Sequence, residues 1–212
     1  AQELAWLKQG KTVVWIGTSA HIYGIIAIAD QLKPQTNDVI RRLREQQIDV
    51  VMLTGDNKIT AAAIAEAAGI DHVIAQVLPD QKGEEVKKLQ AQGKIVAMVG
   101  DGINDAVALI QSEVGIAIGS GSDVAVESAD IVLVKDNIQD VETAIRLSKA
   151  VIRNIKQNLF WAFFYNTLVI PIAAGVLHLF GGPLLSPVFA GAAMAFSSVS
   201  VVSNALRLRN FK

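Results

Sequence analysis

From Asn158 to Leu206 the chain carries no Lys, Arg, Asp or Glu. Few folds absorb so long an uncharged stretch of Leu, Ile, Val, Phe and Ala, and at roughly 20 residues per bilayer crossing it has the length of two membrane helices. Gly181-Gly182-Pro183 breaks the run, so spans are expected at 159–180 and 184–206. A turn that short forces the two to run antiparallel as a hairpin. Arg146, Lys149, Arg153 and Lys156 precede the run, Arg207, Arg209 and Lys212 follow it, and the turn carries no charge. The bias of basic residues toward the cytoplasm then puts both outer ends there and the tip outside. The alternative is a buried soluble hairpin with basic caps. Residues 1–11 lack the apolar core of a signal peptide.

The remainder reads differently. Over the whole chain 19 Lys and Arg balance 20 Asp and Glu, and no nucleic-acid partner is expected. There is no cysteine, which excludes disulfides and thiolate metal sites within this chain. Between residues 25 and 136, apolar strand candidates at 25–29, 50–54, 73–77, 95–99, 114–118 and 131–134 alternate with helical stretches at 38–47, 59–68, 80–92, 105–111 and 122–128. Such alternation predicts an α/β domain with a Rossmann-like parallel sheet covered by helices on both faces. Gly69 and Gly93 stand where helix C-caps are expected, and Pro79-Asp80 opens the helix that carries Lys82. A helix over 138–157 runs toward the first apolar span.

In an open parallel sheet, ligands sit beyond the carboxyl ends of the strands. Gly100-Asp101-Gly102-Ile103-Asn104-Asp105 follows one apolar run and puts two carboxylates and an amide on one turn, a donor set suited to Mg²⁺ beside a phosphoryl group. Thr54-Gly55-Asp56-Asn57 follows another, where a hydroxyl and backbone N–H groups can hold phosphate oxygens. Lys82 can neutralise a phosphoryl group as a point charge. Taken singly, each has an ordinary alternative: Asp and Asn cap helices, Thr54 caps a turn, and Lys82 is a solvated helix residue.

Taken in order, the Thr54-Gly55-Asp56-Asn57 turn, Lys82 in Leu78-Pro79-Asp80-Gln81-Lys82, and Met98 to Ala106 resemble the phosphorylation domain of P-type ATPases, which has the haloacid-dehalogenase-like fold. The segment from Gly115 to Ala125 and the closing hydrophobic hairpin are similar to the heavy-metal branch. Val107 departs from the proline of many relatives. The resemblance implies ATP and Mg²⁺ as cofactors, Asp101 and Asp105 as magnesium ligands, and Thr54, Gly55, Asp56, Lys82 and Asn104 around the transferred phosphoryl group. Asn158, Tyr165-Asn166, Pro171, Met194 and Ser197-Ser198 are similar to copper(I)-transporting members, while zinc and cadmium exporters place a lysine and an aspartate in these spans. Copper(I), or silver, is therefore the implied cargo of Tyr165, Asn166, Met194, Ser197 and Ser198, and thioether sulfur suits a soft ion. The alternative role of Ser197 and Ser198 is close helix packing, which small residues provide in membranes.

The resemblance divides the chain into the end of a nucleotide-binding domain (1–23), the phosphorylation domain (24–143), a connecting helix (144–157), the membrane hairpin (158–206) and a cytoplasmic tail (207–212). The family's Asp-Lys-Thr-Gly-Thr segment, Cys-Pro-Cys motif and Thr-Gly-Glu loop do not occur in this sequence. The expectation is a C-terminal portion of a larger plasma-membrane pump, inactive alone, whose partners are lipid, the remaining pump domains and a copper chaperone. Two rivals are a non-catalytic pump fragment or subunit and a membrane-tethered phosphatase of the same fold. The second would need Asp30 as its nucleophile, and Gln31-Leu32-Lys33-Pro34 does not match a nucleophile loop.

Overall fold

The computed structural model describes residues 2–29, 32–101, 104–119, 123–182 and 186–211. Asp30, Gly102, Ile103, Ser120 to Ser122 and Pro183, all invoked above, lie outside them. The chain forms two compact units, Ala1–Glu142 and Thr143–Lys212.

The first unit opens with α1 (Gln2–Leu7) and a hairpin of β1 (Lys11–Gly17) and β2 (Ile22–Ala29). The strand expected at 25–29 thus does not join a parallel sheet: it pairs antiparallel with β1, Lys11 opposite Ala29 and Trp15 opposite Ile25. The reason is the short link between β1 and β2, since a parallel partner requires a crossover of a dozen or more residues. At the turn a side chain on Gly17 would meet the His21 carbonyl oxygen at 2.6 Å.

Strands and helices then alternate: α2 (Thr36–Glu45), β3 (Val51–Leu53), α3 (Lys58–Ala68), β4 (His72–Ile74), a 3₁₀ turn (Pro79–Gln81), α4 (Lys82–Ala91), β5 (Ala97–Gly100), α5 (Ala106–Gln111), β6 (Val114–Ile118), α6 (Asp123–Ser128) and β7 (Ile131–Leu133). All ladders among β3 to β7 are parallel. Among the described residues they form two sheets, β3-β4 and β5-β6-β7, rather than one. Each ladder joins strands consecutive in sequence, the outcome that short helical crossovers favour. Strand β4 stops at Ile74, short of the expected 77, because the next backbone groups turn aside. Gln76 adopts a left-handed φ of 61°, and its N–H donates to Asp56 O while that of Val77 donates to Thr54 O.

Burial follows the periodicity. Val39, Ile40 and Leu43 of α2, Ala61, Ala65 and Ala68 of α3, Val86 of α4, Leu109 of α5 and Ile116 of β6 form the core. In α3 the small residues at spacings of four and three make one narrow face, and Asn37 Nδ2 of α2 donates to Ala67 O. Helix punctuation matches the sequence: Asn57 caps α3 by accepting from Ile59 and Thr60 N–H, and Gly69 takes a left-handed φ of 74° at the other end.

Glu113 anchors the start of β5. Its carboxylate accepts from Val96 N–H at 2.8 Å and Gln90 Nε2 at 2.9 Å. The Val96 N–H first, then Gln90, hold its carboxyl below the ordinary glutamate range. A folded-state value lower than the unfolded one stabilises the fold above the unfolded pKa, and that contribution is lost as pH falls through the folded value. Glu113→Gln is therefore expected to flatten the acid limb of stability below about pH 4.3, read from urea unfolding at several pH values. An unchanged limb would count against this anchor.

The second unit holds most of α7 (Gln139–Ala173), a 3₁₀ turn (Val176–Phe180), α8 (Pro187–Leu206) and a last 3₁₀ turn (Arg207–Asn210). Helix α7 continues past the expected end of the connecting helix at 157 and stops well short of 180. Pro171 cannot donate to the preceding turn, and Gly175 then takes a φ of 87°. Its uncharged stretch, from Asn158 to Ala173, rises only about 24 Å, less than a hydrocarbon core of about 30 Å. Among the described residues no helix is long and apolar enough to cross a membrane. Helices α7 and α8 nonetheless lie side by side and antiparallel. Asn154 Nδ2 donates to Asn204 O at 2.7 Å, Asn204 Nδ2 to Asn158 Oδ1 at 2.9 Å, and Asn158 Nδ2 to Asn154 Oδ1 at 3.1 Å.

Candidate functional site

The first set of candidate residues follows the carboxyl ends of β3 and β5, which belong to separate sheets among the described residues. Asp105 is the N-cap residue of α5, yet its carboxylate does not cap the helix. Instead Oδ1 accepts from Lys82 Nζ at 2.5 Å, with side chains 12% and 15% exposed. Lys82 is itself the first residue of α4, where a cation opposes the positive end of the helix dipole. Lys82 thus stands against the dipole while Asp105 holds a favoured N-cap position with its carboxylate turned away from the cap, and their pairing accounts for both. A side chain on Gly100, the last residue of β5, would meet Asp105 Oδ2 at 2.4 Å. Only glycine leaves room for that carboxylate. Gly83, which directly follows Lys82, is constrained in the same way, since a Cβ there would stand 2.9 Å from Val107 Cγ1.

Thr54 immediately follows β3. Its hydroxyl donates to Asp56 Oδ2 at 3.0 Å and accepts from Asp56 N–H at 3.1 Å, so Asp56 holds the Thr54 turn closed around the exposed Gly55. Thr54 N–H donates to Ile74 O, and together with the Gln76 and Val77 bonds this ties the turn to the segment that leads into Lys82. Asp101 and Asn104 are exposed. Thr54, Gly55 and Asp56 thus form one hydrogen-bonded turn, Lys82 pairs with Asp105, and Asp101 stands next to Gly100.

Among the described residues no group of three or more His, Cys, Asp and Glu gathers to hold a metal ion. Magnesium does not require one, because it takes one or two carboxylates and completes its shell with water and substrate phosphate oxygens. Asp101, which follows β5, and Asp105, the N-cap residue of α5, offer the two carboxylates that this modest demand sets.

The second candidate site lies in the second unit. Tyr165, Asn166 and Val169 of α7 and Met194, Ser197 and Ser198 of α8 line one cavity of about 210 Å³. All five side chains named as cargo residues are among them. Ser198 Oγ donates to Met194 O at 3.2 Å, and Trp161 lies against Tyr165 with ring centroids 6.2 Å apart. Sequence reasoning singles out Asn158 but not Asn154 or Asn204. The signal is present in the Asn154/Asn158 spacing of four, which puts two amides on one helix face.

Residues 1–112 match the haloacid dehalogenase-like hydrolases, and the chain belongs to that family. Its relatives narrow the comparison. It is 58% identical over 207 residues, 98% of this chain, to the probable copper-transporting ATPase PacS of Synechococcus elongatus. It is 51% identical over 204 residues, 96% of this chain, to the silver exporting P-type ATPase of Salmonella typhimurium. The chain spans only 28% and 25% of the length of these two proteins. Among solved structures, a zinc-transporting PIB-type ATPase in its E2.Pi state is similar over 98% of this chain and 32% of its own, with a TM-score of 0.79 and 38% identity.

Proposed function

We propose that the chain is the phosphorylation domain and closing helix pair of a copper(I)-exporting P-type ATPase, working only with the rest of that polypeptide. The reading rests above all on one observation: the residues that the resemblance to copper(I)-transporting members implies as cargo residues, the thioether Met194 among them, line a single cavity between α7 and α8. The similarity to a probable copper-transporting ATPase and a silver exporting one supports it.

In this reading the first unit handles a phosphoryl group passed from ATP to an aspartate outside this chain. Lys82 donates to its oxygens, as does the Thr54 hydroxyl once its single proton turns from Asp56 Oδ2, the kind of electrostatic support that dominates phosphoryl transfer. Asp56 and Gly55 shape the Thr54 turn, and Asn104 orients the oxygens. Asp101 and Asp105 would hold magnesium, which supplies positive charge against the phosphate. Since Asp105 is already bound to Lys82, the pair keeps both side chains positioned before substrate arrives.

The helix pair would sit in the membrane, its α7 continued through the following 3₁₀ turn to complete a span, with the first unit in the cytoplasm. Met194 supplies the thioether. Tyr165, Asn166, Ser197 and Ser198 shape the cavity in an apolar setting, where polar side chains mark ion pathways. Copper is favoured over zinc because the cavity offers sulfur and neutral oxygen and no carboxylate.

Met194→Ala in the complete pump is the test. Bound copper(I), counted by metal analysis, is expected to fall by one ion per pump or by at least tenfold in affinity, while nucleotide binding stays unchanged. Unaltered copper binding would reduce Met194 to a packing residue and remove the main support for this reading.

A further inference from the structure

From Thr143 to Lys212 the sequence contains no Asp or Glu, yet it holds Arg146, Lys149, Arg153, Lys156, Arg207, Arg209 and Lys212. The second unit is thus strongly cationic in sequence. Lys149, Arg153 and Lys156 follow one another at spacings of four and three, on one face of α7. Together with Ile152, Phe160 and Trp161 they line an open groove of about 440 Å³. The groove is graded along the helix: cations first, then aromatic rings. Phe160 and Trp161 are 60% and 43% exposed and stack edge to face at 5.4 Å. Phe163, 67% exposed, continues the apolar surface beyond them.

We infer that this groove binds an anionic phospholipid, its headgroup on Arg153 and Lys156 and its acyl chains along Phe160 and Trp161. Aromatic rings beside basic residues at the start of an uncharged run are the arrangement that belongs at a membrane interface. Charge selects the lipid class. A zwitterionic headgroup brings no net charge to Arg153 and Lys156, whereas each Lys or Arg near an anionic surface strengthens binding about fivefold. A free phosphate or nucleotide would use the cations but leave the exposed rings without a partner. The inference rests on the membrane reading above.

The complete pump, reconstituted in bilayers of phosphatidylcholine with a minor share of phosphatidylglycerol, gives the test. Lipid retained after mild detergent extraction is identified by mass spectrometry. Wild type is expected to retain phosphatidylglycerol selectively, Arg153→Gln/Lys156→Gln to bind it about twenty-fivefold more weakly, and Arg153→Lys/Lys156→Arg to keep it. Equal retention by the glutamine variant overturns the site. So does wild type retaining no phosphatidylglycerol, which would mean that another segment of the pump covers this face. Displacement by inorganic phosphate overturns the choice of a lipid. Carbonate extraction separates the two readings: a wild-type pump that fails to insert even in phosphatidylcholine refutes the membrane assignment, whereas normal insertion without enrichment refutes only the headgroup site.

Discussion

Lys82→Met is expected to destabilise the first unit by about 2 to 3 kcal/mol, because it strands the Asp105 carboxylate in a mostly buried position. The methylene stem is kept, so the loss reports the charge rather than the packing. Asp105→Asn should also destabilise, by leaving the ammonium without its anion. The double variant should recover much of the loss, since neither charge is then left alone. Urea unfolding of all four proteins closes the cycle. If the two single losses simply add, the ion pair at 2.5 Å contributes nothing and the site is less organised than its geometry implies.

Asp101→Ala in the complete pump is expected to lower phosphoenzyme formation from radiolabelled ATP by at least about a hundredfold, the scale on which removing one preorganised electrostatic partner acts. The substitution should leave the fold intact, because Asp101 is exposed and makes no hydrogen bond or ion pair with the described residues. Normal labelling would dismiss Asp101 as a magnesium ligand and shift the role to Asp105. The two variants are complementary. Lys82→Met disturbs stability and chemistry together, while Asp101→Ala disturbs chemistry alone.

Much of the architecture is legible in the sequence because it is local. The alternation of apolar runs with helical stretches yields parallel strands β3 to β7, and Asn57, Gly69 and Pro79 mark helix boundaries through their own backbone chemistry. The strand ends that carry Thr54 and Asp101 follow from the same rule, since side chains just beyond a parallel strand face the open edge. Expectation and structure diverge where a partner decides the outcome. β2 has the composition of a parallel strand, but a short link delivers it to β1. β4 ends early because Gln76 and Val77 spend their N–H groups on the Thr54 turn. The uncharged run has the length of two spans, yet Pro171 and Gly175 end α7 inside it.

By itself, then, the order of residues determined which segments are strand or helix, where the charges stop, and where hydroxyl, ammonium, carboxylate and thioether groups stand along the chain. Those properties reside in single residues and their near neighbours. Tertiary structure alone decided that Lys82 meets Asp105 across 23 positions of sequence, that Gly100 must lack a side chain for the carboxylate to fit, and that Tyr165 and Met194 share one cavity. Contacts of this kind depend on how separate elements pack, and no periodicity or spacing within either element contains that information.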